Sequence, residues 1–333
     1  MLTVLRRTQR EFWSSELRVA TGRSAVYHLM KVAKPRLVLM PCYVPDGIIL
    51  PIEAADIPVK FYRLSQGLTP DFEDLKENMC AGACVVVVHY FGYKSPTKYI
   101  RELVDAHNGL LFEDCGHALY GPASVASNAD VALWSLNKFL PITDGAILKS
   151  RRRDVDVNYT GFKQVFDVRA VKYYHRHLDL NAEFAETGDQ KLLERSNLFY
   201  EKYYQIIRDD YRLCEQTAES KLLEAQIKTD NDFTERAASA EIISLILPAL
   251  KSRPEYPVFG FPVLVKDPDD RPKVIKRLHA IGIHATALTD KWNHIPRGSK
   301  KFPIESDFLA RHLLLPLPLT RAKAFEAERC FHA

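Results

Sequence analysis

The apolar positions fall into short unbroken runs separated by longer periodic stretches. Cys84-Val85-Val86-Val87-Val88 has no polar member, the pattern of a strand covered on both faces of a parallel sheet. Residues 36–41, 59–64, 110–114, 130–135 and 146–148 read as further strands. Between them, residues 25–33, 46–55, 71–78 and 95–107 carry apolar residues at helical spacing. Thr69 with Pro70 at the first position reads as the cap of the helix at 71–78. Residues 1–20 read as a helical lead-in. Strand and helix alternate up to about residue 150, which predicts an α/β domain with a mainly parallel sheet.

The pattern then changes. Residues 155–229 are helical in character, with 191–212 as one long amphipathic helix carrying Tyr200, Tyr203 and Tyr204. These rings suit packing or an interface. Pro254, Pro257 and Pro262 mark a boundary. A strand is expected at 258–265, a helix at 271–281, a strand at 283–287, a helix at 306–311, a strand at 313–316 and a terminal helix. The chain therefore divides into a large domain with a helical extension, 1–229, and a smaller α+β domain, 230–333.

Composition narrows the function classes. The chain has 333 residues, 47% of them hydrophobic, and a net charge of +4. A sizeable core is expected, and the charges are spread along the chain. Arg151-Arg152-Arg153 is the one tight basic run, with no nucleic-acid module around it. No apolar run is long enough for a membrane span, and the N-terminus lacks a secretory pattern. The six cysteines form no C-x-x-C pair, so reduced thiols in a cytoplasmic protein are expected. His175 and His177 lack further ligands at suitable spacing, so no metal site is expected. Neither a dinucleotide-binding nor a P-loop glycine motif occurs.

Candidate chemistry centres on 130–148. A buried strand, the polar turn Ser135-Leu136-Asn137-Lys138 and a second strand place one lysine between apolar segments. Burial lowers an amine's pKa and leaves it able to condense with a carbonyl. Upstream, the strand at 110–114 ends in Asp114, with His117 three residues on. Ligands of open parallel sheets bind beyond the strands' carboxyl ends. A lysine for the aldehyde carbon and an acid for the pyridine nitrogen are the minimum kit for pyridoxal phosphate. Thr21-Gly22-Arg23-Ser24-Ala25 opens a helix and offers an anion its free N–H groups.

Together these segments resemble the DegT/DnrJ-type pyridoxal-phosphate-dependent sugar aminotransferases, which have the aspartate aminotransferase fold. The resemblance runs along almost the whole chain. It rests on Thr21-Gly22-Arg23-Ser24-Ala25, Leu39-Met40-Pro41-Cys42-Tyr43, Val88-His89-Tyr90-Phe91-Gly92, Glu113-Asp114-Cys115-Gly116-His117, residues 135–145 and residues 313–318. It implies that Lys138 carries pyridoxal 5'-phosphate, Asp114 pairs with the pyridinium nitrogen and His117 touches the ring hydroxyl. Gly22, Arg23, Ser24 and Ser135 would hold the phosphate, and Tyr43 would stack on the ring. It further implies a homodimer, a keto-sugar substrate and an amino donor such as glutamate. Lys291, Trp292, His294 and Arg297 crowd one loop and suit a nucleotide-linked sugar, with Trp292, His294 and Arg297 taken as its contacts.

The sequence also departs from that family. Ser135 precedes Lys138 by fewer residues than the family's phosphate serine. The glycine-aromatic-asparagine-aromatic-arginine motif is not evident, and Asn158 and Asn181 stand in other contexts. These departures keep two alternatives open: a non-catalytic or regulatory homologue, and a keto-acid aminotransferase. The family's sugar dehydratases replace the lysine, so Lys138 speaks against that activity.

Overall fold

The computed structural model describes residues 13–118, 126–226, 229–247 and 259–332. Its main sheet is built from β1 (Ser15–Val19), β2 (Leu37–Pro41), β3 (Val59–Tyr62), β4 (Ala83–Val88), β5 (Leu110–Asp114), β6 (Val131–Ser135) and β7 (Ala146–Ser150). The spatial order is β1-β7-β6-β5-β4-β2-β3. The pairs β3–β2, β2–β4, β4–β5 and β5–β6 are parallel, while β7 runs antiparallel to both β6 and β1. All six residues of β4 are buried, because helices cover both faces of a sheet joined by crossovers.

The helices of the first half follow the sequence pattern. They are α1 (Gly22–Ala33), α2 (Asp46–Ala54), α3 (Phe72–Asn78) and α4 (Lys98–Ala106). Thr21 caps α1 by accepting from the N–H of Ser24. The cap of α3 is Asp71, not Thr69: its side chain accepts from the N–H of Asp74. Thr69 and Pro70 lie instead in a two-residue strand opposite Leu64 and Ser65.

The expected helical lead-in is corrected from residue 15 on. Ser15, Leu17 and Val19 are buried while Glu16 and Arg18 face outward, a two-residue period that only a strand satisfies. Residues 1–12 lie outside the described residues. The helical middle is a hairpin of α5 (Val168–Thr187) and α6 (Gln190–Ile207), divided at Gly188 in the left-handed conformation (φ 69°). The long helix expected to reach residue 212 therefore ends five residues earlier. After it come α7 (Ala218–Gln226) and α8 (Thr229–Ile246).

The last third holds β8 (Gly260–Leu264), α9 (Arg271–Ala280), α10 (Pro303–Arg311), β9 (His312–Pro316) and α11 (Arg321–His332). Pro254, Pro257 and Val258 lie outside the described residues. β8 and β9 pair antiparallel. The expected strand at 283–287 does not form; only an isolated bridge joins Thr286 to Leu314. The segment instead touches the middle of β9 at that bridge and runs on to line the cleft. Ser239 of α8 donates its hydroxyl to the Leu319 carbonyl ahead of α11, at 2.9 Å. One apolar core runs from the main sheet through Phe261, Leu313 and Leu315.

Gly109 enters β5 where no side chain fits. A Cβ there would lie 2.6 Å from the Ala83 carbonyl oxygen and 3.0 Å from the Met79 methyl carbon. Gly109→Ala should therefore cost about 2 kcal/mol through overpacking. Urea unfolding should show a lower midpoint at unchanged slope; an unchanged midpoint would refute the close approach.

Candidate active site

The carboxyl ends of β5 and β6, the start of α1 and the segment 284–292 enclose a cleft of about 1090 Å³. Asp114, Gly116, His117, Ser135, Lys138, Gly22, Arg23 and Trp292 all line it. Strand register explains the central pair. Asp114 stands opposite Leu133, so β5 ends where β6 still has Trp134 and Ser135 to run before the turn. Leu136–Lys138 is a single 3₁₀ turn, closed by the Leu136 N–H donating to the Gly145 carbonyl at 2.9 Å. Below it, buried Asp144 accepts from the Thr217 N–H, the Thr217 hydroxyl and the Ser220 hydroxyl. These bonds fix the turn that carries the lysine.

Asp114 is 5% exposed. Its Oδ1 accepts from the Gly116 N–H at 2.9 Å, and among the described residues Oδ2 has no hydrogen-bond partner. Burial raises its carboxyl above the ordinary range, while Lys138, the Gly116 N–H and His89 pull it back. Burial lowers the Lys138 amine, Asp114 opposes this, and Arg23 adds to it. No ion pair engages the Lys138 ammonium among the described residues. The two groups meet across Gly116: a Cβ there would lie 3.0 Å from Asp114 Oδ1 and 3.2 Å from Lys138 Nζ. Gly116→Val should thus push the pair apart and weaken cofactor affinity about tenfold or more. An absorbance titration checks this, and unaltered affinity would show that the gap is not used.

Burial and the nearby Lys138 hold the His117 pKa well below the usual value, which favours the neutral imidazole. Its Nδ1 accepts from the Phe91 N–H at 3.3 Å, which puts the ring proton on Nε2. Phe91 reaches this position with φ 56°. The imidazole stacks on Phe259 at 4.4 Å and on Trp292 at 5.1 Å. Behind the acid, His89 and Glu113 form a fully buried pair at 2.8 Å, and the His89 N–H donates to the Asp114 carbonyl.

At the start of α1, Thr21 caps Ser24, leaving the Gly22 and Arg23 N–H groups open toward the cleft. Ser135 donates its hydroxyl to Asn137 Oδ1 at 3.0 Å. Ser24 lies elsewhere: its Oγ is 2.6 Å from Thr21 Oγ1, it is 2% exposed, and it does not line the cleft. It serves the helix cap, which any hydroxyl in that place favours.

Three other expected contacts are corrected. Tyr43 is fully buried among Tyr90, Trp292 and Phe308 at 5.2–5.4 Å. It supports Trp292 from behind and does not line the cleft. His294 turns to Asp46, with Nε2 3.3 Å from Oδ1. Arg297 is exposed on the loop beyond it and also misses the cleft. Of the aromatic-basic loop, Trp292 and Lys291 line the cleft.

Other cleft residues escaped the sequence reading. Tyr203 and Tyr204, expected to serve packing or an interface, are buried and line the cleft with Tyr174, Tyr200, Asn197 and His177. Their spacing on one helix face was visible, but not which partner that face meets. Phe259 and Arg236 arrive from the last third of the chain and carry no local signal.

No protein-family profile matches the sequence, and no curated protein matches it. Solved structures do. The aminotransferase TlmJ from Streptoalloteichus hindustanus superposes with a TM-score of 0.64 at 18% identity, covering 95% of this chain and 84% of that one. PseC of Helicobacter pylori, an aminotransferase involved in the biosynthesis of pseudoaminic acid, gives 0.63 at 15% identity over 98% and 92%. The E. coli GDP-4-keto-6-deoxy-D-mannose-3-dehydratase with bound hydrated PLP gives 0.65 at 14% over 96% and 88%. The chain has the fold of the pyridoxal-phosphate-dependent aminotransferases. That fold places β1 and β7 at the sheet's antiparallel edge and the parallel strand ends at the cleft.

Proposed function

We propose that the protein is a pyridoxal-phosphate-dependent aminotransferase that passes an amino group from an amino acid such as glutamate to a nucleotide-linked keto sugar. The observation that carries this reading is the meeting of Asp114 and Lys138 across Gly116. Three groups fit the cofactor. Asp114 Oδ2 belongs to a buried residue at the cleft wall and has no hydrogen-bond partner among the described residues. His117 Nε2 is a donor with none. Lys138 Nζ is an amine that burial disposes to lose its proton. They suit a ring N–H, a ring oxygen and an aldehyde. The open N–H groups of Gly22 and Arg23 suit a phosphate, and the Ser135 hydroxyl would join them by turning from Asn137 Oδ1.

When bound, pyridoxal phosphate supplies an aldehyde carbon and an electron-accepting ring. The chain supplies the rest. Asp114 would keep the ring nitrogen protonated, and His117 would orient the ring through Nε2–H. Lys138 Nζ is the amine that would hold the aldehyde carbon and that, when free, would take up and return a proton. Phe259 and Trp292 stack on the His117 ring and give the cleft apolar surface.

A sugar acceptor is supported by the fold's similarity to sugar aminotransferases and by the wall of Tyr174, Tyr200, Asn197 and His177, which presents hydroxyl, amide and imidazole groups. Nucleotide-linked keto sugars should raise the melting temperature by mass action and accept nitrogen from glutamate. A panel that does neither, while simple keto acids accept nitrogen, would move the assignment to a keto-acid aminotransferase. A two-fold dimer belongs to the same reading and rests on the sequence resemblance; light scattering that reports a monomer at micromolar concentration would remove it.

A further inference from the structure

The cleft wall at 284–292 is held partly by a side chain, in a place where a sheet would hold it by its backbone. Thr286 and Leu314 form one antiparallel bridge and exchange two backbone hydrogen bonds, at 3.1 and 2.7 Å. Two residues further on, the same register sets Leu288 opposite His312, where the next bonded pair of a ladder would form. There the Leu288 N–H donates to a side-chain atom, His312 Nε2, at 2.9 Å. The imidazole is fully buried and stacks on the Phe308 ring at 4.4 Å. Because Nε2 accepts, the one ring proton of the neutral imidazole sits on Nδ1, which donates to the Phe308 carbonyl at 2.8 Å. Burial pushes the His312 pKa down to about 4, against the pull of the Phe308 carbonyl and with help from Arg271, so the accepting form prevails at neutral pH.

We propose that His312 is a positioning residue: its Nε2 lone pair holds Leu288, and through Leu288 it sets the Trp292 ring against His117 in the cleft. The cofactor that this wall would face rests on the reading given above. Beyond Leu288 the chain makes a single 3₁₀ turn, Asp290–Trp292, and the Trp292 carbonyl accepts from the Val44 N–H at 3.2 Å. The wall is thus pinned by His312 at one end and by the residues after β2 at the other. The same imidazole lies behind Tyr43, with ring centres 5.9 Å apart and the tyrosine hydroxyl 3.5 Å from Nε2. Tyr43 backs Trp292 at 5.2 Å, and Trp292 stacks on His117 at 5.1 Å. His312 therefore touches both supports of the indole, the backbone that carries it and the ring behind it. A buried N–H left unpaired is costly. Without the Nε2 acceptor the segment would shift to find another partner, and Trp292 would move with it.

Two amide side chains divide the imidazole between them. Glutamine sets its carbonyl oxygen near the place of Nε2 and can accept from Leu288. Asparagine sets its amide nitrogen near the place of Nδ1 and can donate to Phe308, with nothing left at Nε2. Both lose the ring that stacks on Phe308, so the difference between them reports the Leu288 bond. Amide exchange, resolved to single residues by mass spectrometry, is measured first without cofactor. In the wild type, Leu288 should exchange as slowly as Leu314, within about threefold. In His312→Asn, Leu288 and Trp292 should exchange about tenfold or more faster than in His312→Gln, with Val263 alike in the two. Pyridoxal phosphate affinity, read by absorbance titration, should be about fivefold or more weaker in His312→Asn than in His312→Gln. Fast exchange of Leu288 in the wild type overturns the proposal without any variant, and covers the case in which neither variant folds. Equal exchange in the two variants would reduce the imidazole to a packing ring and overturn it. So would unequal exchange with equal cofactor affinity, since the latch would then not reach the cleft. Wild-type protein that takes up no pyridoxal phosphate overturns the functional reading instead, and the exchange comparison still decides whether His312 holds the wall.

Discussion

Lys138→Ala should abolish turnover, by about 10⁴-fold or more, because in the proposed reaction one amine would both hold the cofactor carbon and move the proton. The fold should survive. Nζ has no ion-pair partner among the described residues, and the turn beneath it is held by Asp144 and the Gly145 carbonyl. The linkage has a definite sign. Burial lowers the Lys138 pKa, so between its folded and unfolded values the unfolded chain binds more protons. Stability therefore rises with pH through that window, and below it the native state carries a penalty. Removing the amine lifts that penalty, and the variant should lose no more than about 1 kcal/mol. Added small amines should restore part of the rate. A variant that retains ordinary turnover, or one that fails to fold, would contradict this role.

Asp114→Asn should cost about 10²- to 10³-fold in turnover. Asparagine can keep the bond from the Gly116 N–H, so the turn is preserved and the lost feature is the negative charge. The pH profile separates the charge from the shape. Burial holds the Asp114 carboxyl above the ordinary range, so it takes up its proton at a higher pH than a free carboxyl does. Cofactor affinity should fall as pH drops through that raised value, since the protonated acid cannot hold a ring N–H as an ion pair. In Asp114→Asn that acid limb should vanish. The stability effect runs the other way. The native state binds the extra proton between the ordinary and the raised value, so stability falls as pH rises across that window. Near-normal turnover in the variant would reduce Asp114 to a turn residue.

The parts of the site that sequence exposed are those tied to strand ends. The unbroken valines of β4 reported a doubly covered sheet, and the acid closing β5 reported the edge at which the cleft opens. Chain order then put Lys138 one strand further on. Tyr43 misled because an aromatic ring after β2 serves equally in a cofactor stack and in a core; only the positions of Phe308 and Trp292 decide. The strand β1 was obscured by its length, since five residues with Glu16 and Arg18 facing outward give little period to read. Phe259, Arg236 and the α6 tyrosines were not legible as cleft residues at all. Their place depends on how the last third and the helical hairpin close over the sheet, which no local pattern encodes. Arg23 was legible as a phosphate ligand from its position in α1, but its side chain runs to Gly47 and Tyr204.

One covalent link separates an aminotransferase from a non-catalytic homologue. Protein incubated with pyridoxal phosphate, reduced with borohydride and mapped by peptide mass should carry the pyridoxyl group on Lys138. An adduct on another lysine, or none on Lys138, would contradict the aminotransferase reading.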